Sequence, residues 1–215
     1  SAEDVLEVND LLIELGNDHM SIISKIEKEN ALNEIDDIIR VSDGIMLARG
    51  DLGVEVPIER IPGIQKMIIN KCHYSNKISI ISTEVMTSME QSLVPTRAEV
   101  SDIANAVLDG CDAIILSTET MNGQHPIEAV EVMKKIIMTT EKDIDYEELL
   151  SKSLRSDNGD VTGSLAYSIA DLAARLDAKA IVAPTITGYT AKKMSRFRPI
   201  CPIIAISPDI NTVKS

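Results

Sequence analysis

The sequence predicts an α/β fold built on a parallel sheet, and two observations carry this prediction. Short runs rich in β-branched residues alternate along the chain with longer amphipathic stretches. The short runs are apolar almost throughout, as strands are when helices cover both faces of a parallel sheet. Because 44% of the residues are hydrophobic but only 2% are aromatic, the core must consist mainly of aliphatic side chains.

The predicted elements form consecutive strand–helix units preceded by a helix over residues 5–15, which Gly16 closes. Pro57 and Pro126 at first helical turns, and Gly110 after a helix, agree with the predicted limits. Repeated units of this kind imply right-handed crossovers and a parallel sheet. The predicted strands are 21–26, 44–48, 78–83 and 113–117, and the helices that follow them are 31–40, 58–74, 96–108 and 126–141.

Polar residues at the strand ends favour a closed barrel over an open sheet. In a (β/α)8 TIM-type barrel the carboxyl ends of several successive strands form the active-site rim. An open doubly wound sheet gathers its ligands mainly at one switch point. We therefore predict part of a barrel from the polar residues that end the strands in turn: Lys25 and Glu27, Arg49 and Asp51, Thr83 and Glu84, and Ser117 and Glu119.

The composition changes near Asp143, which predicts one domain over residues 1–143 and the beginning of a second over 144–215. Residues 151–160 contain a single apolar residue and are predicted to form a linker or surface loop. The predicted elements beyond them are a helix at 162–176, a strand at 180–183, a helix at 189–196 and a strand at 203–206. This is the opening of another α/β domain, which we expect to be incomplete at Ser215.

Charge and composition exclude several classes of protein. With 34 acidic against 21 basic residues, the net charge of −13 disfavours a nucleic-acid partner. No apolar run reaches the roughly 18 residues of a membrane span, and the first residues lack the features of a signal peptide. Cys72, Cys111 and Cys201 are widely spaced and flanked by apolar residues, as in a reducing compartment, so a cytoplasmic protein is expected.

Lys25, Glu27 and Asp51 are the residues whose chemistry stands out. Lys25 and Glu27 lie two positions apart and so share one side of a strand, either as a functional pair or as a strand-end ion pair facing solvent. Asp51 and Glu27 together supply two oxygen ligands for a divalent ion, with Mg²⁺ the best match. The alternative for Asp51 is that it only caps the next segment. Gly50 and Gly53 bracket Asp51, and their sharp turn is expected to hold an anion as a nest of amides does.

Four stretches resemble the pyruvate kinase signature and occur in that family's order. They are SKIE at 24–27, DGIMLARGDLGVE at 43–55, PTRAE at 95–99 and LSTET at 116–120. The resemblance extends over nearly the whole chain. It implies that the four strands of the first domain are strands five to eight of an eight-stranded barrel, followed by the start of a C-terminal regulatory domain.

The resemblance also implies roles for the charged residues. Lys25 resembles the lysine that neutralises the phosphoryl group during transfer. Glu27 and Asp51 resemble the protein ligands of Mg²⁺, for which Mn²⁺ is an alternative. A K⁺ ion is implied as well, with ligands outside this chain.

Substrate binding is implied for the segment after the second strand. The backbone amides of Arg49, Gly50 and Asp51 resemble the cradle of the substrate carboxylate. Thr83 resembles the threonine that lies near the methylene carbon and delivers a proton to enolpyruvate. Without the resemblance, the sequence indicates only an ordinary β-branched strand end.

Two positions depart from the family pattern. Glu84 stands where the family usually has Gln, and Thr118 stands where it has Gly. The added carboxylate of Glu84 is expected to alter pKa values or metal affinity nearby.

The second domain contains one candidate ligand site. Thr185, Thr187, Gly188 and Thr190 lie between a strand and a helix and resemble the loop that binds the phosphate of an allosteric sugar phosphate. The alternative is plain helix capping by Thr187.

The activity implied is phosphoryl transfer from phosphoenolpyruvate to ADP, giving pyruvate and ATP, in a parent protein that forms a homotetramer. One alternative is a Mg²⁺-dependent lyase or aldolase acting on pyruvate-like substrates. Another is a non-catalytic folding or assembly unit. Because the strands at 21–26 and 113–117 are expected to have unpaired edges, we expect the isolated chain to be inactive and to self-associate.

Overall fold

A computed structural model describes residues 1–155 and 161–214 of the chain. These residues form two compact units, Ser1–Asp143 and Ile144–Ser215. The first contains a four-stranded sheet and the second a two-stranded sheet, and every strand pair in both is parallel. The predicted parallel α/β fold is therefore confirmed.

In the first unit, each strand is followed by one or two α-helices before the next strand begins. Its strands are β1 (Ile23–Ile26), β2 (Gly44–Ala48), β3 (Ile78–Ser82) and β4 (Ala113–Ile115). Its α-helices are α1 (Ala2–Glu14), α2 (Glu29–Asn33), α3 (Ile35–Val41), α4 (Arg49–Glu55), α5 (Ile61–Tyr74), α6 (Arg97–Asp109), α7 (Thr118–Met121) and α8 (Pro126–Thr140). Short 3₁₀ turns occupy Ile58–Arg60, Thr87–Glu90 and Glu141–Asp143.

The sheet order is β1-β2-β3-β4, which is the order of the chain itself. An open doubly wound sheet reverses its strand order at a switch point, and this sheet contains no reversal among its four strands. The order is the one that successive strands have in a (β/α)8 barrel. All four strands consequently end at the same edge of the sheet.

The core of this unit lies between the sheet and its covering helices. Ile45 and Leu47 of β2 are completely buried and pack with Ile39 of α3 and Ile68 of α5 in one apolar cluster. Burial of each such side chain contributes about 1.5–3 kcal/mol to stability. The central strand is thereby fixed, and with it the position of the residues that follow it.

Several element boundaries differ from the predicted ones. The helix predicted at 31–40 is divided at Glu34, whose φ of −111° and ψ of 15° are not helical. The strand predicted at 78–83 ends at Ser82 because Thr83 has a φ of +66°. The strand predicted at 113–117 ends at Ile115, and Ser117 instead precedes α7.

The predicted limits of α6 are confirmed to within one residue, and their cause is local. Thr96 and Glu99 form a capping box at its start, in which each side chain accepts a hydrogen bond from the other residue's backbone N–H. Gly110 ends the helix with a left-handed φ of 90°, a conformation that costs glycine little.

The second unit repeats the alternation around Phe197. Phe197 is completely buried, and its ring meets Tyr167 edge-on with 5.8 Å between the ring centroids. The elements are α9 (Tyr146–Arg155), α10 (Val161–Arg175), β5 (Ile181–Pro184), α11 (Tyr189–Ser195), β6 (Ile203–Ile206) and α12 (Ile210–Lys214).

The linker predicted at 151–160 is wrong over its first half, because residues 151–155 belong to α9. The signals for this helix precede the predicted window. The Asp145 carboxylate accepts a hydrogen bond from the Glu148 N–H at 2.9 Å, the contact typical of a helix N-cap. Leu150 is buried in the core of the second unit. Residues 156–160, the other half of the predicted linker, lie outside the described part of the chain.

Within the described ranges, no helix combines the length and the apolar character needed to cross a bilayer. Cys72 and Cys201 are buried, Cys111 is half-buried, and none of the three is in a disulfide.

Burial raises the pKa of the Cys72 thiol to about 12, with a further contribution from the negative charge of Asp112 and partial opposition from Lys77. Since the thiolate is the reactive form, we expect iodoacetamide at pH 8 to modify Cys72 at least about 100-fold more slowly than Cys111. Mass spectrometry of peptides over a time course measures both rates. In denaturing urea the two rates should become similar, and similar rates in the native protein would contradict the prediction.

Candidate functional site

The candidate site lies where β1 and β2 end. Lys25 is in β1, Glu27 follows that strand, and Asp51 lies in the first turn of α4 directly after β2. The Lys25 Nζ atom is 2.5 Å from Glu27 Oε2 and 3.2 Å from Asp51 Oδ2. Parallel pairing of β1 with β2 therefore brings together three charged side chains from two neighbouring strand ends.

The three side chains remain accessible, with 47% of Lys25, 38% of Glu27 and 56% of Asp51 exposed. Hydrogen bonds to Glu27 and then to Asp51 raise the pKa of Lys25 above its usual value. Lys25 therefore carries its full positive charge at neutral pH. Lys25 and Glu27 do form the solvent-facing ion pair that was one of the two interpretations, and Asp51 joins them from the next strand.

The carboxylates of Glu27 and Asp51 have the chemistry that a hard divalent cation needs. Both are oxygen donors, both are reachable from solvent, and both approach the same Lys25 ammonium group. Mg²⁺ commonly uses one or two protein carboxylates and completes its octahedron with water and substrate oxygens. The donor set fits Mg²⁺, although the described residues contain no cluster of three or more His, Cys, Asp or Glu side chains suited to a metal.

The segment after β2 is helical. Ala48 is the N-cap of α4, and no side chain caps the helix, so the alternative that Asp51 acts as a cap is wrong. The expected sharp turn with a nest of amides is also wrong, because Gly50 and Gly53 both lie inside this helix. The amides of Arg49, Gly50 and Asp51 are instead those of a first helical turn, which have no partner within the helix.

Thr83 lies beside that first turn. Its Oγ1 atom accepts a hydrogen bond from the Gly50 N–H at 2.7 Å and donates one to the Ser82 carbonyl at 2.7 Å. A Cβ atom at position 50 would lie 3.3 Å from this oxygen, so glycine permits the close approach. Thr83 and Glu84 both adopt left-handed backbone conformations, with φ values of 66° and 52°.

Glu84, a position expected to depart from the family pattern, lies at the same place. A Cβ atom at Gly50 would lie 3.5 Å from the Glu84 Oε1 atom. Its carboxylate is exposed and therefore adds a negative charge next to Thr83 and the first turn of α4.

The Arg49 side chain has partners that the sequence did not indicate. It is buried, and its guanidinium forms a 2.5 Å ion pair with Asp102 of α6 and a hydrogen bond with Gln65 of α5. Asp102 lies three residues after the PTRAE stretch at 95–99, but nothing in its local sequence connects it with Arg49.

Two acidic residues hold the segment that follows β3. The buried Glu119 carboxylate accepts hydrogen bonds from the N–H groups of Met86 and Ser117, each at 2.9 Å. Glu99 accepts from the backbone and hydroxyl of Ser88 at 2.8 and 2.5 Å. Burial raises the pKa of Glu99, but hydrogen bonds from Ser88 and Thr96 outweigh it, so the pKa is lowered overall. The sequence signal for Glu119 was its position at the end of the fourth predicted strand.

In the second unit, the candidate effector residues lie between β5 and α11. Gly188 is the N-cap of α11 with a φ of 79°, and no side chain caps this helix, so the alternative that Thr187 caps it is wrong. Thr185 is buried and its N–H donates to the Ile206 carbonyl at 2.9 Å. Thr187 directly precedes Gly188, and Thr190 is the second residue of α11.

Comparison with known proteins identifies similar chains over both units. The family described as "Pyruvate kinase, barrel domain" matches residues 1–130, and the family described as "Pyruvate kinase, alpha/beta domain" matches residues 163–215. A pyruvate kinase from Clostridium acetobutylicum is 47% identical over 206 residues, which are 96% of this chain and 44% of that protein. One from Sporosarcina psychrophila is 45% identical over 96% of this chain and 35% of that protein.

The fold has a close counterpart among solved structures. The crystal structure of a pyruvate kinase from Cryptosporidium parvum superposes with a TM-score of 0.94 at 39% sequence identity. The match covers 99% of this chain and 45% of that one. The chain thus spans less than half the length of each of these relatives.

We expect Glu27→Gln to lower the pKa of Lys25 more than Asp51→Asn does, because the hydrogen bond to Glu27 is the larger cause of the raised pKa. NMR titration of the lysine side-chain resonances measures the shift. Lys135, exposed on α8, is an internal control that neither substitution should affect. An unchanged Lys25 pKa in both variants would show that the two carboxylates do not hold this ammonium group.

Proposed function

Because the chain belongs to the pyruvate kinase family, we propose that the protein containing it transfers a phosphoryl group from phosphoenolpyruvate to ADP, giving pyruvate and ATP in glycolysis. The observation that carries the proposal is the Lys25 ammonium group held between Glu27 and Asp51 at the ends of two parallel strands. Since the chain spans 35–44% of the curated relatives described above, the proposal concerns the whole catalytic protein. Family membership favours this kinase activity over the lyase or aldolase alternative.

We assign residues 1–143 to a partial catalytic barrel that contributes strands five to eight, and residues 144–215 to the beginning of a C-terminal regulatory domain. The family matches over 1–130 and 163–215 support this assignment. The uninterrupted order of four parallel strands in the first unit supports it as well.

In the proposed reaction Lys25 neutralises charge on the phosphoryl group while this group moves from the enolate oxygen of phosphoenolpyruvate to ADP. Such transfers need positioning and electrostatic stabilisation more than covalent chemistry from the protein. The hydrogen bonds to Glu27 and Asp51 keep Lys25 protonated and orient its ammonium group. Lys25 also acts as a substrate-binding residue, because the same charge attracts the phosphate before transfer.

Glu27 and Asp51 would hold the divalent cation, with Mg²⁺ as the proposed ion and Mn²⁺ as a substitute. When bound, the ion polarises the phosphoryl and enolate oxygens as a Lewis acid. A K⁺ requirement is also proposed, with ligands that lie outside this chain.

The first turn of α4 binds the substrate carboxylate in this proposal. The amides of Arg49, Gly50 and Asp51 are donors at the positive end of a helix. The Gly50 N–H already donates to Thr83 Oγ1, so a substrate carboxylate at Gly50 would compete with that hydroxyl. Displacement from Gly50, with rotation of the hydroxyl away from the Ser82 carbonyl, would free Thr83 to relay a proton from solvent toward the methylene carbon of enolpyruvate.

A phosphate-bearing allosteric effector is proposed for Thr185, Thr187, Gly188 and Thr190. Support comes from the left-handed Gly188, which begins α11 without a side-chain cap and leaves the neighbouring hydroxyls uncommitted to capping. Thr185 is buried, so its proposed part is to hold the loop in place through the hydrogen bond from its N–H to the Ile206 carbonyl of β6.

The setting proposed for the parent protein is a homotetramer in the cytoplasm, with no nucleic-acid and no membrane partner. The net charge of −13 supports the exclusion of nucleic acid.

Replacing Lys25 by Met should reduce ATP formation by about 10²–10³-fold or more, since one transition-state charge partner is removed. Coupled assay of ATP with phosphoenolpyruvate, ADP and Mg²⁺, in the longest natural polypeptide that contains this chain, measures the loss. Lys28→Met, one position beyond Glu27 and exposed, is the matched control and should retain activity. Full activity in Lys25→Met would remove Lys25 from the mechanism.

The polypeptide of 215 residues by itself should show no measurable ATP formation and should self-associate. Among the described residues, β1 and β4 each pair on one side only, so both outer edges of the sheet offer unpaired backbone groups. Light scattering after size-exclusion chromatography, together with the coupled assay, tests both expectations. An active monomer would refute them.

A further inference from the structure

We infer that the Arg49 side chain is a positioning residue for Thr83: its guanidinium holds the left-handed Thr83–Glu84 turn that places the Thr83 hydroxyl against the first turn of α4. The inference rests on the proposed function, in which Thr83 handles a proton. It assigns a role to the side chain of Arg49, whereas the proposed function uses only the backbone amide of this residue.

All three nitrogen atoms of the guanidinium are engaged. Nη2 donates to the Glu84 carbonyl at 3.0 Å and to the Thr83 carbonyl at 3.3 Å, and Nε donates to the Thr83 carbonyl at 3.4 Å. Nη1 pairs with Asp102 Oδ2 at 2.5 Å and with Gln65 Oε1 at 3.4 Å. One planar group therefore connects two successive carbonyls of the turn to side chains on α5 and α6.

Burial makes the Asp102 partner necessary. The Arg49 side chain is only 9% exposed, and a buried guanidinium without a carboxylate partner is strongly disfavoured. Asp102 is itself 41% exposed, so it supplies the charge from the partly solvated side. Gln65 orients the same nitrogen through its carbonyl oxygen.

The turn that Arg49 holds does not form readily by itself. A left-handed conformation is unusual for a residue other than glycine, and a β-branched residue such as Thr83 is disfavoured there. Glu84 adopts the same conformation next to it. Such backbone persists only where surrounding contacts impose it, and the hydrogen bonds from Arg49 fall on the carbonyls of these two residues.

Thr83 is clamped from two directions by adjacent residues. Arg49 binds its carbonyl, and the Gly50 N–H binds its hydroxyl at 2.7 Å. Without substrate, both contacts set the Thr83 hydroxyl relative to the first turn of α4. When a substrate carboxylate takes the Gly50 N–H, the contact of Arg49 with the Thr83 carbonyl remains. Lysine cannot replace Arg49 here, because its single nitrogen lacks the planar fork that reaches two carbonyls and a carboxylate together.

The guanidinium faces away from the charged residues of the site. Arg49, Gln65, Asp102 and Asp109 line a cavity of about 270 Å³, and Lys25, Glu27 and Asp51 are absent from its lining among the described residues. Arg49 therefore acts through Thr83 and not by contact of its side chain with substrate.

Arg49→Lys tests the inference in the longest natural polypeptide that contains this chain. We expect kcat for ATP formation, and the exchange of pyruvate methyl protons for deuterons from D₂O, to fall by about 10–100-fold, as misplacement of a reacting group does. KM for phosphoenolpyruvate should change less than about threefold, because the backbone amides and Lys25 remain. Arg40→Lys, in a surface pair with Asp37, is the matched control and should leave activity unchanged.

The decisive measurement is the double variant with Thr83→Ala. If Arg49 acts through Thr83, Arg49→Lys should cause no further loss of methyl-proton exchange once Thr83 is Ala. Equal losses with and without Thr83, or a raised KM at unchanged kcat, would overturn the inference. If Arg49→Lys does not fold, as judged by thermal unfolding, Asp102→Asn carries the same double-variant comparison. Absence of ATP formation in the unaltered protein would instead overturn the proposed function itself.

Discussion

β2 pairs in parallel with β1 on one side and with β3 on the other, and its side chains are buried on both faces of the sheet except for the half-buried Met46. Parallel strands that lie side by side end at the same edge. Residues at the ends of β1 and β3 are therefore each held within hydrogen-bonding distance of residues that follow β2, although up to 35 positions separate the partners, as in the contact between Arg49 and Glu84. Every contact in the candidate site depends on this pairing and on the apolar core that fixes it.

Two kinds of ion pair occur at this edge, and solvent distinguishes what they do. Lys25, Glu27 and Asp51 form an accessible group in which water screens the charges, so the group contributes little to stability and remains able to exchange partners with a ligand. The pair of Arg49 and Asp102 includes a buried guanidinium, so loss of the Asp102 carboxylate would leave an uncompensated buried charge. The first arrangement suits binding and the second suits rigid support.

Glu84 and Thr118, the two positions expected to depart from the family pattern, both lie at the ends of strands of the first unit. Glu84 keeps its carbonyl on Arg49, while its exposed carboxylate lies next to Gly50. Thr118 begins the short helix α7, where the neighbouring Glu119 still ties Ser117 and Met86 together. At both positions backbone contacts shape the rim, and the Glu84 side chain itself lies beside the first turn of α4.

The sequence by itself determined the features that depend on local pattern and chemistry. Alternating apolar runs predicted the parallel α/β fold. The helical spacing of apolar residues and the glycine at the end of α6 predicted that helix closely, because periodicity and a glycine stop act within a few residues. The spacing of Lys25 and Glu27 predicted their shared side of β1. Pattern failed at residues 151–155, where the signals of α9 lay upstream of a polar stretch.

Only the tertiary structure decided which distant groups meet. Asp102 lies 53 positions from Arg49, and no local pattern indicates that pairing. The left-handed conformation of Thr83 and Glu84 contradicts their intrinsic preferences and exists because the guanidinium of Arg49 and the amide of Gly50 hold them. Local preference acts on neighbours along the chain, whereas burial of a charge and satisfaction of its hydrogen bonds depend on whatever the fold brings near it.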